Sequence, residues 1–156
     1  MRAGDVAVLL PIFTERRKDE FLKLWEKNYA KYEDVVWDVH LYQCFGLCWT
    51  MLTLERHMQG ALDRAALLQS LPACCVSEWS LAFPEEIIQG FSEERRKEAL
   101  ARFGANQLHS YECATHGWFF WTWKDKHGMA WNLRDSLKAG LLTVPGGGRA
   151  SSLVTP

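Results

Sequence analysis

The sequence has no long apolar run. No stretch approaches the roughly 18 consecutive apolar residues of a membrane-spanning helix, and the short run Val6–Phe13 is interrupted by Pro11. That run does not read as a secretory leader, because Thr14-Glu15-Arg16-Arg17-Lys18 follows it instead of a small-residue cleavage site. Charge of one sign is not in excess. The formal net charge is −1 over 156 residues, which leaves no basic field and argues against nucleic acid as the partner. Zinc-ligand spacing is missing: Cys74 and Cys75 are adjacent, and Cys44 and Cys48 lie four apart without a His pair beside them. The 5 cysteines are an odd number, so at least one thiol stands outside any intramolecular disulfide. They read as packing residues, since a free Cys behaves as a small apolar side chain, and they say nothing of compartment. No internal repeat is visible.

What the sequence does have is tryptophan, 8 residues of it within an ordinary apolar fraction of 48%. Indole stacks well on flat ligands and also fills cores, so composition alone leaves both uses open. The patterning is more informative. Short β-rich runs are expected at Val6–Leu10, Val35–His40, Ala73–Trp79 and Gly117–Trp123. Between and after them, helix-like periodicity marks Glu15–Asn28, Thr53–Gln69, Ser92–Tyr111 and Asn132–Ala139. Thr53 and Ser92 are placed to cap their helices, and Gly140 to stop the last one. Strands alternating with helices imply a parallel sheet with helices packed over it, an α/β fold. In such sheets the reactive groups gather at the C-terminal ends of the strands. His40, Tyr42, Glu78, Trp121 and Trp123 all fall there.

Each of these residues has a chemical reading and a plain one. A carboxylate at the end of an apolar strand is costly to bury unless something uses it, which suits Glu78 to a nucleophile's place; equally, Glu78 could open a loop and point to water. His40 and Tyr42 are two apart, so they share a face and could orient a neighbouring carboxylate; a His–Tyr pair satisfied by backbone is the plain alternative. The run Gly117-Trp118-Phe119-Phe120-Trp121-Thr122-Trp123-Lys124 could floor a sugar site with one face and enter the layer beneath the helices with the other. The Trp121 ring is expected on the Glu78 side, with Trp118 or Phe119 packed beneath the helices.

Three strings, Asp38-Val39-His40-Leu41-Tyr42-Gln43-Cys44-Phe45, Ser77-Glu78-Trp79-Ser80 and Gly117 to Lys124, resemble the exo-β-1,3-glucanase branch of glycoside hydrolase family 5. Ala130-Trp131-Asn132 and Ala139-Gly140-Leu141-Leu142 are similar to the segment that closes that family's barrel. The resemblance runs from about Val35 to Leu142 and is weaker over Val6–Lys27. It implies a (β/α)8 TIM barrel of which this chain is the C-terminal half, strands five to eight, in residues 1–143; the remaining residues 144–156, with Gly146-Gly147-Gly148, are expected from their composition to be a disordered tail. It implies retaining O-glycosyl hydrolysis of β-glucans, with Glu78 as nucleophile. His40 and Tyr42 would line the subsite at the scissile bond, Phe45 and Trp131 the mouth, and Trp121 a sugar platform, with no metal or organic cofactor. Phe13 is similar to a further mouth aromatic, but Leu10-Pro11-Ile12 stands where the family has a Ser-Asp pair. The family's acid/base sits in an Asn-Glu-Pro string, and no Asn-Glu dipeptide occurs here. An N-terminal half-barrel partner is therefore expected. The alternative is a non-catalytic carbohydrate-binding fragment. β-1,3-Glucan is the family's typical substrate, although related hydrolases take β-1,4- and β-1,6-glucans and steryl or flavonoid glucosides; full-length members are often secreted or cell-wall associated.

Overall fold

The computed structural model describes residues 8–12, 18–29, 31–32 and 34–144. Three parallel strands form the sheet: β1 (Val8–Ile12), β2 (Val35–His40) and β3 (Cys74–Glu78), in that order. Parallel neighbours need a crossover, and helices supply it. α1 (Lys18–Tyr29) joins β1 to β2; α2 (Leu47–Thr50) and α3 (Leu54–Gln69) join β2 to β3. Beyond β3 come α4 (Glu85–Ile88), α5 (Glu93–Tyr111), a short 3₁₀ turn at Met129–Trp131, and α6 (Leu133–Lys138).

The helix starts are set by side-chain caps. The hydroxyls of Thr53 and Ser92 accept from the N–H groups of Arg56 and Arg95, each at 3.3 Å, and Asn132 Oδ1 accepts from Asp135 N–H at 3.1 Å. α6 ends at Gly140, whose φ of +70° suits a residue without Cβ.

Strand alternation divides the sheet into two faces. Trp37, Val39, Cys74 and Val76 enter the main core, where Leu68 of α3 and Leu108 and Tyr111 of α5 meet them. Trp79, just past β3, is fully buried there, with Tyr111, Trp118 and Phe120 edge-on around it. α1 covers the same face more loosely: Phe21 and Trp25 pack edge-on against Trp37 at 5.5 and 5.4 Å, yet none of its residues is buried. A second cluster, Met58 and Ala61 with Phe83, Ile88, Ala99 and Phe103, joins α3, α4 and α5. Full burial of a Met, Ile or Phe side chain is worth about 1.5–3 kcal/mol. The other face of the sheet carries Val36, Asp38, His40 and Cys75.

The segment expected as a strand over Gly117–Trp123 is not one. It runs parallel beside β3, with the His116, Phe119 and Trp121 N–H groups donating to the carbonyls of Cys74, Val76 and Trp79, each at 2.8 Å. Only Val76 and Trp118 form a true bridge. The ladder fails because the far end is bonded elsewhere: Thr122 exchanges hydrogen bonds with Trp131 and Leu133, and Trp123 accepts from Arg134. Alternation survives without the ladder. Trp118 and Phe120 pack on Trp79, while Phe119, Trp121 and Trp123 are 63%, 51% and 52% exposed. The first strand and helix are described over Val8–Ile12 and Lys18–Tyr29, ending two residues and one residue beyond the expected Leu10 and Asn28. Val6, Phe13 and the tail from Pro145 lie outside the described residues.

Candidate active site

Asp38 and His40 project from the same face of β2, and His40 is the register partner of Glu78, the last residue of β3. An irregularity in the ladder between Val39 and His40 brings the two strand ends into this pairing. Leu41 N–H then donates to the Glu78 carbonyl at 2.8 Å, so the chain passes Glu78 before turning away. Tyr42 is the next residue, and its hydroxyl donates to Glu78 Oε2 at 3.0 Å. His40 Nδ1 stands 3.5 Å from the same oxygen. On its far side, His40 Nε2 lies 3.3 Å from Asp38 Oδ2. A carboxylate, an imidazole, a second carboxylate and a phenol thus stand in series, half-buried, at the C-terminal end of the sheet.

The aromatic surround comes from two loops. Phe45, 61% exposed, sits edge-on to Tyr42 with ring centroids 5.1 Å apart. Trp131, on the 3₁₀ turn, lies 5.7 Å from Tyr42 and 5.9 Å from Phe45. That turn is tied to the strand ends, because Leu81 N–H donates to the Ala130 carbonyl at 3.0 Å. Tyr42, Phe45 and Trp131 therefore form one cluster beside Glu78. Trp121 is not part of that ring cluster. The bridge between Val76 and Trp118 puts those two on the core face, so period-two alternation leaves Phe119 and Trp121 on the face of Asp38 and His40.

The electrostatics follow from burial and from Glu78. Burial first, then the hydrogen bond and the charge of Glu78, hold the Tyr42 phenol well above its ordinary range. It is therefore a hydrogen-bond donor at any physiological pH. Burial pushes the Cys44 thiol up to about 11 and, with the charge of Asp38 added, the Cys75 thiol also to about 11. Neither offers a thiolate nucleophile at neutral pH. Among the described residues no group of three or more His, Cys, Asp or Glu could hold a metal ion, and no helix is long and apolar enough to cross a membrane.

Asp38 was not among the residues singled out from the sequence. The signal was present: it is two residues before His40, hence on the same face. Its other oxygen, Oδ1, is buried with no hydrogen-bond partner among the described residues.

The fold and the site are those of a parallel α/β protein holding a carboxylate, an imidazole and a phenol at adjoining strand ends. Comparison with known proteins narrows the class. No protein-family model matches the chain. A protein named probable glucan 1,3-beta-glucosidase A from Aspergillus clavatus is 27% identical over 161 residues, which cover 81% of this chain and 38% of that protein. The protein of the same name from Aspergillus niger is 26% identical over 168 residues, 86% of this chain and 40% of its own. A glucan 1,3-beta-glucosidase of Blumeria graminis is 43% identical over 49 residues, 31% of this chain and 11% of its own. The chain spans about two fifths of the length of the Aspergillus relatives. By these names the relatives are glycosidases of glucan, and the chain is similar to them over most of its own length.

Proposed function

We propose that this chain is part of a retaining β-glucosidase acting on β-glucans, of the exo-β-1,3-glucanase branch of glycoside hydrolase family 5, with Glu78 as nucleophile. Its strands, together with the segment beside β3, would make up strands five to eight of a (β/α)8 barrel. The observation that carries this reading is the donation of the Tyr42 hydroxyl to Glu78 Oε2 at 3.0 Å, with His40 at 3.5 Å from the same atom. These contacts lock the rotamer of a strand-end carboxylate and leave its other oxygen for attack.

In the proposed reaction a Glu78 oxygen attacks the anomeric carbon of the glucosyl unit. The bond to the leaving oxygen breaks, and a glycosyl ester forms on Glu78. Water then attacks the same carbon from the opposite side, releasing the Glu78 carboxylate and a sugar of retained configuration. A second carboxylate, about 5–5.5 Å from the first, protonates the leaving oxygen and later takes the proton of water. We assign that role to the N-terminal half-barrel that the resemblance implies. Phe45, Trp131 and Trp121 would offer indole and phenyl faces to the apolar C–H faces of the sugar.

The test isolates the nucleophile. With 2,4-dinitrophenyl 2-deoxy-2-fluoro-β-glucoside, the leaving phenolate departs unprotonated, so the first step needs no acid, and the fluorine slows hydrolysis of the ester. Intact-protein mass spectrometry should show one added fluoroglucosyl group, mapped by peptide digestion to Glu78 and lost in Glu78→Gln. Labelling at another carboxylate overturns the assignment. Oligoglucan binding without any labelling supports a carbohydrate-binding module instead.

A further inference from the structure

The loop bearing Tyr42 and Phe45 leaves the sheet after β2 and turns at Gly46, where φ is +97°. Beyond Leu41 the sheet no longer directs its course. Buried polar side chains of the helices behind it do. The Tyr111 hydroxyl donates to the Leu41 carbonyl at 3.4 Å, and Arg64 Nη2 to the Tyr42 carbonyl at 3.2 Å. The third of these side chains is His57, in the first turn of α3 and fully enclosed. Its ring lies between those of Trp49 and Phe83, 5.9 Å from each. Nε2 is 3.0 Å from the Trp49 carbonyl oxygen, and Nδ1 is 2.9 Å from the side-chain amide of Gln43.

The chemistry fixes the hydrogens. A carbonyl only accepts, so Nε2 carries the ring hydrogen, and Nδ1 of the neutral imidazole accepts. Gln43 must then present its NH2 group. In that orientation its nitrogen donates to Nδ1 at 2.9 Å and to the His57 carbonyl at 3.2 Å, while its oxygen accepts from Ala61 N–H at 3.2 Å. Gln43 lies flat on α3: a Cβ at Gly60 would meet its side-chain amide group at 3.6 Å. Burial lowers the affinity of His57 for a proton, which keeps Nδ1 an acceptor.

The geometry points to Gln43 and His57 as positioning residues for the Tyr42–Glu78 contact, one imidazole tying both limbs of the site loop, at Gln43 and at Trp49, to the start of α3. The inference rests on the reading of Glu78 as the site and adds what sets the loop over it. Gln43 adjoins Tyr42 in sequence, so a shift of its amide displaces the phenol directly. The pair acts through the loop backbone rather than on substrate.

The test uses the intact chain without sugar, so it does not depend on hydrolysis. Tyrosine Cζ signals are followed by carbon-13 NMR from neutral pH to about pH 11, beyond the ordinary phenol value of about 10, with Tyr42 assigned through Tyr42→Phe. In the wild type Tyr42 should remain un-ionised across this range, and in Gln43→Leu and His57→Leu it should ionise within it. His57→Asn, whose side-chain oxygen can still accept from Gln43, should restore wild-type behaviour. If Tyr42 stays un-ionised in Gln43→Leu with far-ultraviolet circular dichroism unchanged, the positioning role is overturned; that variant decides alone if His57→Leu does not fold. Failure of Glu78 to label with the fluoroglucoside would refute the nucleophile and leave this result standing.

Discussion

At Glu78 a single carboxylate oxygen receives the Tyr42 hydroxyl at 3.0 Å and stands 3.5 Å from His40 Nδ1. Hydrogen bonds to an ionised group contribute about 1.5–3 kcal/mol. The Glu78 side chain is 29% exposed, so solvent screening favours the lower half of that range. Tyr42→Phe removes the donor and keeps the ring against Phe45 and Trp131. It is therefore expected to slow fluoroglucoside labelling of Glu78 by about tenfold, since 1.4 kcal/mol corresponds to a factor of ten. Stopped-flow release of dinitrophenolate would measure it, and an unchanged rate would show that Tyr42 does not tune the carboxylate. That His40 and Tyr42 share a face, and that Glu78 ends the adjoining strand, was legible from the sequence through the two-residue spacing and the strand pattern; the pairing of His40 with Glu78 was not, because the irregularity between Val39 and His40 sets it. Nor was the contact of Gln43 with His57 legible. The two residues are 14 apart, on a loop and on a helix, and no periodicity relates them.

At the scale of elements the local signals held wherever a side chain acts on its own backbone. The capping residues are the clearest case. Ser92 and Thr53 stand at the starts of α5 and α3 as their positions before amphipathic runs required. Both cap bonds measure 3.3 Å, long for an N–H···O bond, which places their worth in the lower half of the usual range. Ser92→Ala and Thr53→Ala are each expected to cost about 0.5–1 kcal/mol. Urea unfolding should show lowered midpoints with unchanged slope, and a midpoint equal to wild type in both variants would mean that packing of α3 on α5 alone sets these helix starts. Gly117–Trp123 shows where local reading ran out. Its aromatic alternation is real, but a strand also needs a partner for each backbone group. Those of Thr122 and Trp123 are taken by the Met129–Arg134 segment, which lies close in space and not in pattern.

For the whole molecule, the pH response should centre on His57. Burial holds its pKa below the ordinary 6.5. As pH falls below that value the unfolded chain takes up a proton that the folded chain refuses, so this group withdraws stability until the lowered folded value is reached. Above the ordinary value it contributes no pH dependence. Between about pH 7.5 and pH 5 the melting temperature of the wild type should therefore fall more steeply than that of His57→Asn, which has no ring to titrate. Carboxylate effects are common to both proteins and cancel in the comparison. Parallel curves would show that acid destabilisation lies elsewhere.

The sequence by itself determined the alternation of the first three strands with helices, the strand Val35–His40, the caps at Thr53 and Ser92 and the placing of His40, Tyr42 and Glu78 at strand ends, because each depends on residues within a few positions of one another. Only the tertiary structure decided that Trp131 joins Tyr42 and Phe45, that Asp38 stands behind His40, and that Gln43 and His57 hold the site loop. Those contacts depend on how loops and helices pack across the sheet, and packing is settled by volume and by hydrogen-bond partners distant in sequence.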